Sequence, residues 1–146
     1  MSTKMVLFLC TGNYYRSRFA EVVFNHKARA CGLDWRADSR GLARVFGAWN
    51  IGPISPHAAA ALRSRGIEPA EHRCAMHCGE ADLQRAALIV ALKEVEHRPL
   101  LEEHFPGWSA KSEFWHIHDV DQATPEQALP EIERLVDHLI ARLRQT

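Results

Sequence analysis

A doubly wound α/β domain is the fold this sequence predicts, and two observations predict it. The first is the run Lys4 to Cys10 (KMVLFLC), apolar without alternation, as in a strand covered on both faces of a parallel sheet. The second is the alternation of such runs with amphipathic segments long enough to serve as crossover helices. Ligands of such sheets bind outside the carboxyl ends of the strands, so the segment Thr11 to Tyr15 is where a site is expected.

The elements follow in order. The first strand stops at Thr11-Gly12-Asn13, and from Arg16 the apolar positions Phe19, Ala20, Val23, Phe24 and Ala30 recur at helical spacing until Gly32. Leu42 to Ser55, with Gly47, Gly52 and Pro53, is the longest predicted loop, and loops of that length are often functional. Ser55 caps a second helix that opens on Pro56 and runs through Leu62 to Gly66. Ala86 to Leu92 is a second buried strand, and Lys111 to Ile117 a weaker one. From Pro125 to Arg144, Leu129, Ile132, Leu135, Val136, Leu139, Ile140 and Leu143 share one face of a helix of about five turns.

The 146 residues suit one domain, 1–146, with room for one core. Lysine plus arginine total 18, aspartate plus glutamate 18, so no basic excess exists to hold nucleic acid or anionic lipid. Apolar runs are too short for a membrane span, and no leader is evident, which predicts a soluble cytoplasmic protein. The 4 cysteines, Cys10, Cys31, Cys74 and Cys78, are then expected as thiols rather than as a disulfide framework. Cys31, ahead of Gly32, is expected as a small core residue. Cys74 and Cys78 lie near His72 and His77, but no second pair completes a metal site, so neither metal nor cofactor is expected.

The chemistry concentrates in Cys10-Thr11-Gly12-Asn13-Tyr14-Tyr15-Arg16-Ser17. The bare spacing of Cys10 and Arg16 is weak evidence; its position between a buried strand and a helix makes it strong. At the same offset Cys31, Cys74 and Cys78 meet Ala37, Glu80 and Gln84. A loop curled into a helix N-terminus turns its backbone N–H groups inward and forms an anion site aided by the helix dipole. Gly12 and Asn13 tolerate the backbone conformations such a loop requires. Arg16 can grip two phosphoryl oxygens with its planar fork. Cys10 at the floor would have its thiolate stabilised by the N–H groups, by Arg16 and by the Ser17 hydroxyl, and a thiolate is a nucleophile.

These residues resemble the low-molecular-weight protein tyrosine phosphatases, with strand, Cys-x-Gly-Asn-x-x-Arg-Ser, and a helix bearing Ala20-Glu21. The resemblance extends to Ser39 and Gly41-Leu42 at a further strand end, to Gly52 and Pro56 through Gly66-Ile67, and to Trp115-x-Ile117-x-Asp119. It implies a four-stranded parallel sheet with helices on both faces, the phosphotyrosine phosphatase I-like fold. It also implies hydrolysis of phosphomonoesters, phosphotyrosine on protein in particular, through a cysteinyl-phosphate. Cys10 would be the nucleophile, Arg16 the clamp on the transition state and Asp119 the general acid. Thr11, Gly12, Asn13, Tyr14, Tyr15 and Ser17 would bind the phosphoryl group and substrate, with Ser39 bracing the loop and Trp49 a wall of the cleft. Inorganic phosphate and vanadate would be ligands.

Three departures stand out. Asp119-Val120-Asp121-Gln122 replaces the Asp-Pro of the family, which leaves Asp121 as a second candidate acid. Tyr15 stands where many members have a second cysteine that traps the oxidised nucleophile. Arsenate reductases of similar fold use further cysteines near a later strand, and Ala91 to His97 has none. Arsenate reduction and a non-catalytic phosphate-binding module remain the alternatives.

Overall fold

The computed structural model describes residues 3–145. Four strands, β1 (Lys4–Cys10), β2 (Trp35–Gly41), β3 (Leu88–Ala91) and β4 (Glu113–Phe114), form one parallel sheet in the order β2-β1-β3-β4. Around them lie α1 (Arg16–Ala30), α2 (Pro56–Ser64), α3 (Glu80–Arg85), α4 (Glu94–His104) and α5 (Pro125–Arg144). The unbroken apolar run of β1 has its reason in two cores. Val6, Phe8 and Cys10 face α1, α2 and α5, whereas Leu7 and Leu9 face Leu83 of α3 and Leu101 of α4. Each such side chain, fully buried, contributes about 1.5–3 kcal/mol.

Several elements differ from expectation. β3 begins at Leu88 and ends at Ala91, although Leu92 N–H still donates to Leu9 O at 2.9 Å. β4 is two residues preceded by a 3₁₀ turn at Ser109–Lys111, because this edge segment has a neighbour only in β3. β2 (WRADSRG) escapes apolar periodicity because it too is an edge strand: of its residues only Ala37 is core aliphatic. The short α3, and α4 with Pro99 inside it, lack a clear apolar stripe. Cys31 corrects the sequence reading: it is exposed, because it is the C-cap of α1, where the chain turns away through Gly32 at φ 70°.

The loop between β2 and α2 is held to the segment after β1. Leu42 and Ala43 N–H donate to Cys10 O and Thr11 O at 2.9 and 3.0 Å, and Ser55 N–H donates to Tyr14 O at 2.9 Å. A Cβ at Gly41 would come within 2.9 Å of Thr11 O and closer still to the Phe46 ring, so the two segments touch only because Gly41 has no side chain. Among the described residues no helix is long and apolar enough to cross a membrane.

Candidate active site

The loop between β1 and α1 is built from within. Asn13 is in the left-handed region at φ 51° and fully buried. Its amide donates to Ser17 Oγ and Ser39 Oγ, both at 2.9 Å, and its carbonyl accepts from Arg73 Nη1 and the Met76 N–H, both at 3.0 Å. Four bonds thus hold a backbone conformation that costs a non-glycine residue about 1–2 kcal/mol. Glu21 Oε1 gathers the outer layer, accepting from Arg18 (2.9 Å), Ser39 Oγ (2.5 Å) and Arg73 (3.0 Å). Asn13, Ser17 and Ser39 therefore point away from the cavity, as braces of the loop.

The floor of the loop opens into a 560 Å³ cavity lined by Cys10, Gly12, Tyr14, Tyr15, Arg16, Trp49 and Asp119, together with Asn50, His57 and Val120. Cys10 is buried and shares a hydrogen bond with Ser17 Oγ at 2.9 Å. No carboxylate occupies the first turn of α1, so the positive end of its dipole is left to an anion. Arg16 is 2% exposed. Burial by itself would pull its guanidinium down, yet the hydrogen bonds it donates to Glu96 and the charges of Cys10, Glu96 and Asp119 hold it above the ordinary value.

Asp119 Oδ2 lies 3.5 Å from Arg16 Nη2, whereas Asp121 is exposed and outside the cavity. The missing proline after Asp119 is replaced by hydrogen bonds. Gln122 and Ala123 N–H donate to Asp119 O at 3.0 and 3.1 Å, Val120 N–H donates to Asp119 Oδ1 at 2.9 Å, and Lys93 Nζ holds Gln122 Oε1 at 3.0 Å. Tyr14 OH donates to Ile51 O at 2.5 Å and so ties the β2–α2 loop over the mouth, where Trp49 is 90% exposed. Tyr15 is buried, and burial together with the charge of Asp119 pushes its phenol up to about 12, so it stays protonated. The Thr11 hydroxyl does not reach the cavity: it donates to Glu96 Oε2 and lies 3.1 Å from His97 Nε2. Cys74 is exposed, and burial pushes the Cys78 thiol up to about 12, which leaves it protonated and unreactive at neutral pH.

Arg73, Glu96 and His97 are site residues that the sequence reading missed. They lie 60 or more positions along the chain from the loop residues they meet, Asn13, Arg16 and Thr11, and no local pattern marks them. His97 is fully buried, and burial lowers its pKa below the ordinary 6.5 despite Glu96 beside it. Its neutral form accepts the Lys93 N–H at Nδ1 (3.0 Å), which leaves the Nε2 proton facing Glu96 Oε2 at 3.2 Å. A histidine lowered in the folded state takes up its proton more readily on unfolding. Its stabilising contribution is therefore whole above pH 6.5 and declines as pH falls from there toward the lowered folded value. Denaturant midpoints should fall with acidification through that window, and His97→Gln should flatten the fall; an unchanged slope would remove His97 as its source.

Residues 5–146 match the low molecular weight phosphotyrosine protein phosphatase family. The protein-arginine-phosphatase of Bacillus subtilis (strain 168) is 32% identical over 106 residues, 73% of this chain and 66% of that enzyme. The crystal structure of a low molecular weight protein tyrosine phosphatase from T. tengcongensis superposes with a TM-score of 0.80 at 32% identity, covering 95% of this chain and 99% of that one. That of YfkJ from Bacillus subtilis gives a TM-score of 0.85 at 25% identity, covering 99% and 97%. The chain belongs to the low molecular weight phosphotyrosine protein phosphatase family, a family of cysteine-dependent phosphatases.

Proposed function

We propose that residues 1–146 act as one domain, a cytoplasmic phosphatase that hydrolyses phosphotyrosine on protein through Cys10. The Cys10 thiolate attacks phosphorus and forms an S–P bond while the P–O bond to the leaving phenol breaks, and Asp119 gives that oxygen its proton. Water then attacks phosphorus, Asp119 takes a proton from it, and inorganic phosphate leaves with Cys10 again a thiolate. Arg16 and the N–H groups of residues 11–17 carry the charge on the equatorial oxygens. The observation that carries this reading is the convergence of Cys10, Arg16 and Asp119 on one cavity. Its walls include Tyr14, Tyr15, Trp49 and His57, which suit an aromatic leaving group.

The similarity to a protein-arginine-phosphatase favours a second reading, in which the bond broken is P–N and the leaving group is a guanidine. The test is kcat/KM on one peptide sequence carrying either phosphotyrosine or phosphoarginine, beside p-nitrophenyl phosphate. A preference for phosphotyrosine of about tenfold or more is expected. The reverse preference would replace the first reading with the second. Binding of phosphate or vanadate without turnover of any substrate would instead identify a binding module.

A further inference from the structure

The guanidinium of Arg16 has two edges, and one is occupied by the protein itself. Glu96, in the first turn of α4, accepts from Nη2 at 2.6 Å and from Nη1 at 3.2 Å, so its carboxylate caps the end of the fork. Nη1 donates again to Ile117 O at 3.0 Å. Nε donates to no acceptor among the described residues, and the arginine lines the cavity. The outer side of Nη2 meets only Asp119 Oδ2, at 3.5 Å, so the side edge that faces the cavity has Nε for a ligand and an Nη2 hydrogen shared with the candidate acid. Glu96 is itself held: Oε2 also accepts from Thr11 Oγ1 and faces His97 Nε2 at 3.2 Å. Thr11 belongs to the phosphate loop, and the Lys93 N–H that orients His97 is that of the residue capping α4, so one carboxylate joins the loop, α4 and the arginine. Glu96 does not line the cavity.

We propose that Glu96 is a positioning residue for phosphoryl transfer: it caps the end of the Arg16 fork and turns the Nε edge toward the transferred phosphoryl group. The proposal rests on the phosphatase reading for its kinetic arm. Its sign is distinctive. A second anion near the loop opposes the binding of phosphate by Coulomb repulsion, so whatever Glu96 contributes to rate comes from orientation and not from ground-state attraction. A guanidinium free to rotate still pairs with a tetrahedral anion, but loses alignment with the equatorial oxygens of a trigonal bipyramid, and misplacement of about 1 Å is worth about 10²-fold in rate.

The experiment is Glu96→Gln, with kcat and KM on p-nitrophenyl phosphate measured beside calorimetric affinities for inorganic phosphate and vanadate. Expected are a kcat reduced by about 10²-fold, phosphate affinity unchanged or tighter, and a vanadate-to-phosphate affinity ratio that falls. Thr11→Val, which removes one donor to Oε2 and leaves the charge, should shift the same quantities in the same direction by less, and serves if Glu96→Gln does not fold. An unchanged kcat and ratio, or phosphate affinity falling in parallel with kcat, would overturn the proposal. If the wild-type protein binds both oxyanions but turns over nothing, the phosphatase reading fails while the affinity ratio still tests Glu96. A wild-type protein that binds neither overturns both.

Discussion

Cys10→Ser should eliminate measurable turnover, a fall of about 10⁴-fold or more, while the fold and phosphate binding persist. Serine keeps the size and the hydrogen bond that Cys10 Sγ shares with Ser17 Oγ, so the loop has no reason to rearrange. On the proposed mechanism what disappears is the nucleophile, because a serine hydroxyl attacks phosphorus far less readily than the sulfur of cysteine. The measurement is p-nitrophenyl phosphate hydrolysis in metal-free buffer across the acidic-to-neutral range, with phosphate affinity and thermal unfolding of both forms beside it. Turnover that survives the substitution would remove Cys10 from the mechanism.

Asp119→Ala should slow hydrolysis by about 10²–10⁴-fold, and most for substrates with poor leaving groups, because an acidic phenol departs without a proton whereas tyrosine does not. Phenyl phosphate and phosphotyrosine should suffer more than p-nitrophenyl phosphate, and the pH dependence of kcat should change on the limb that reports the acid. Asp121→Ala should leave these quantities near wild type, since Asp121 is exposed and does not line the cavity. Equal losses across leaving groups would show that Asp119 acts otherwise, through its charge 3.5 Å from Arg16.

What was legible in the residues has one physical basis: local patterns report local structure. The run Lys4 to Cys10, its break at Thr11-Gly12-Asn13 and the helix from Arg16 are contiguous, so hydropathy and spacing alone describe the strand, loop and helix and point to an anion site at their junction. The same holds for α5, whose apolar face from Leu129 to Leu143 follows Pro125 in one stretch. Edge strand β2 and the short helices α3 and α4 were not legible this way, because an edge strand buries few side chains and α4 carries Pro99 and too few apolar residues to show a stripe.

The second layer of the site lies beyond any local pattern. That Arg73 holds Asn13, that Glu96 caps Arg16, and that backbone hydrogen bonds close the Asp119 turn without a proline depend on segments brought together by the parallel crossovers. The choice between Asp119 and Asp121 is of the same kind: two positions apart in sequence, one faces the cavity and the other solvent. The sequence by itself determined the sheet's central strand and the loop that carries Cys10 and Arg16. Tertiary structure alone decided which side chains surround them, since hydrogen bonds between distant residues follow from the path of the chain and leave no periodicity behind.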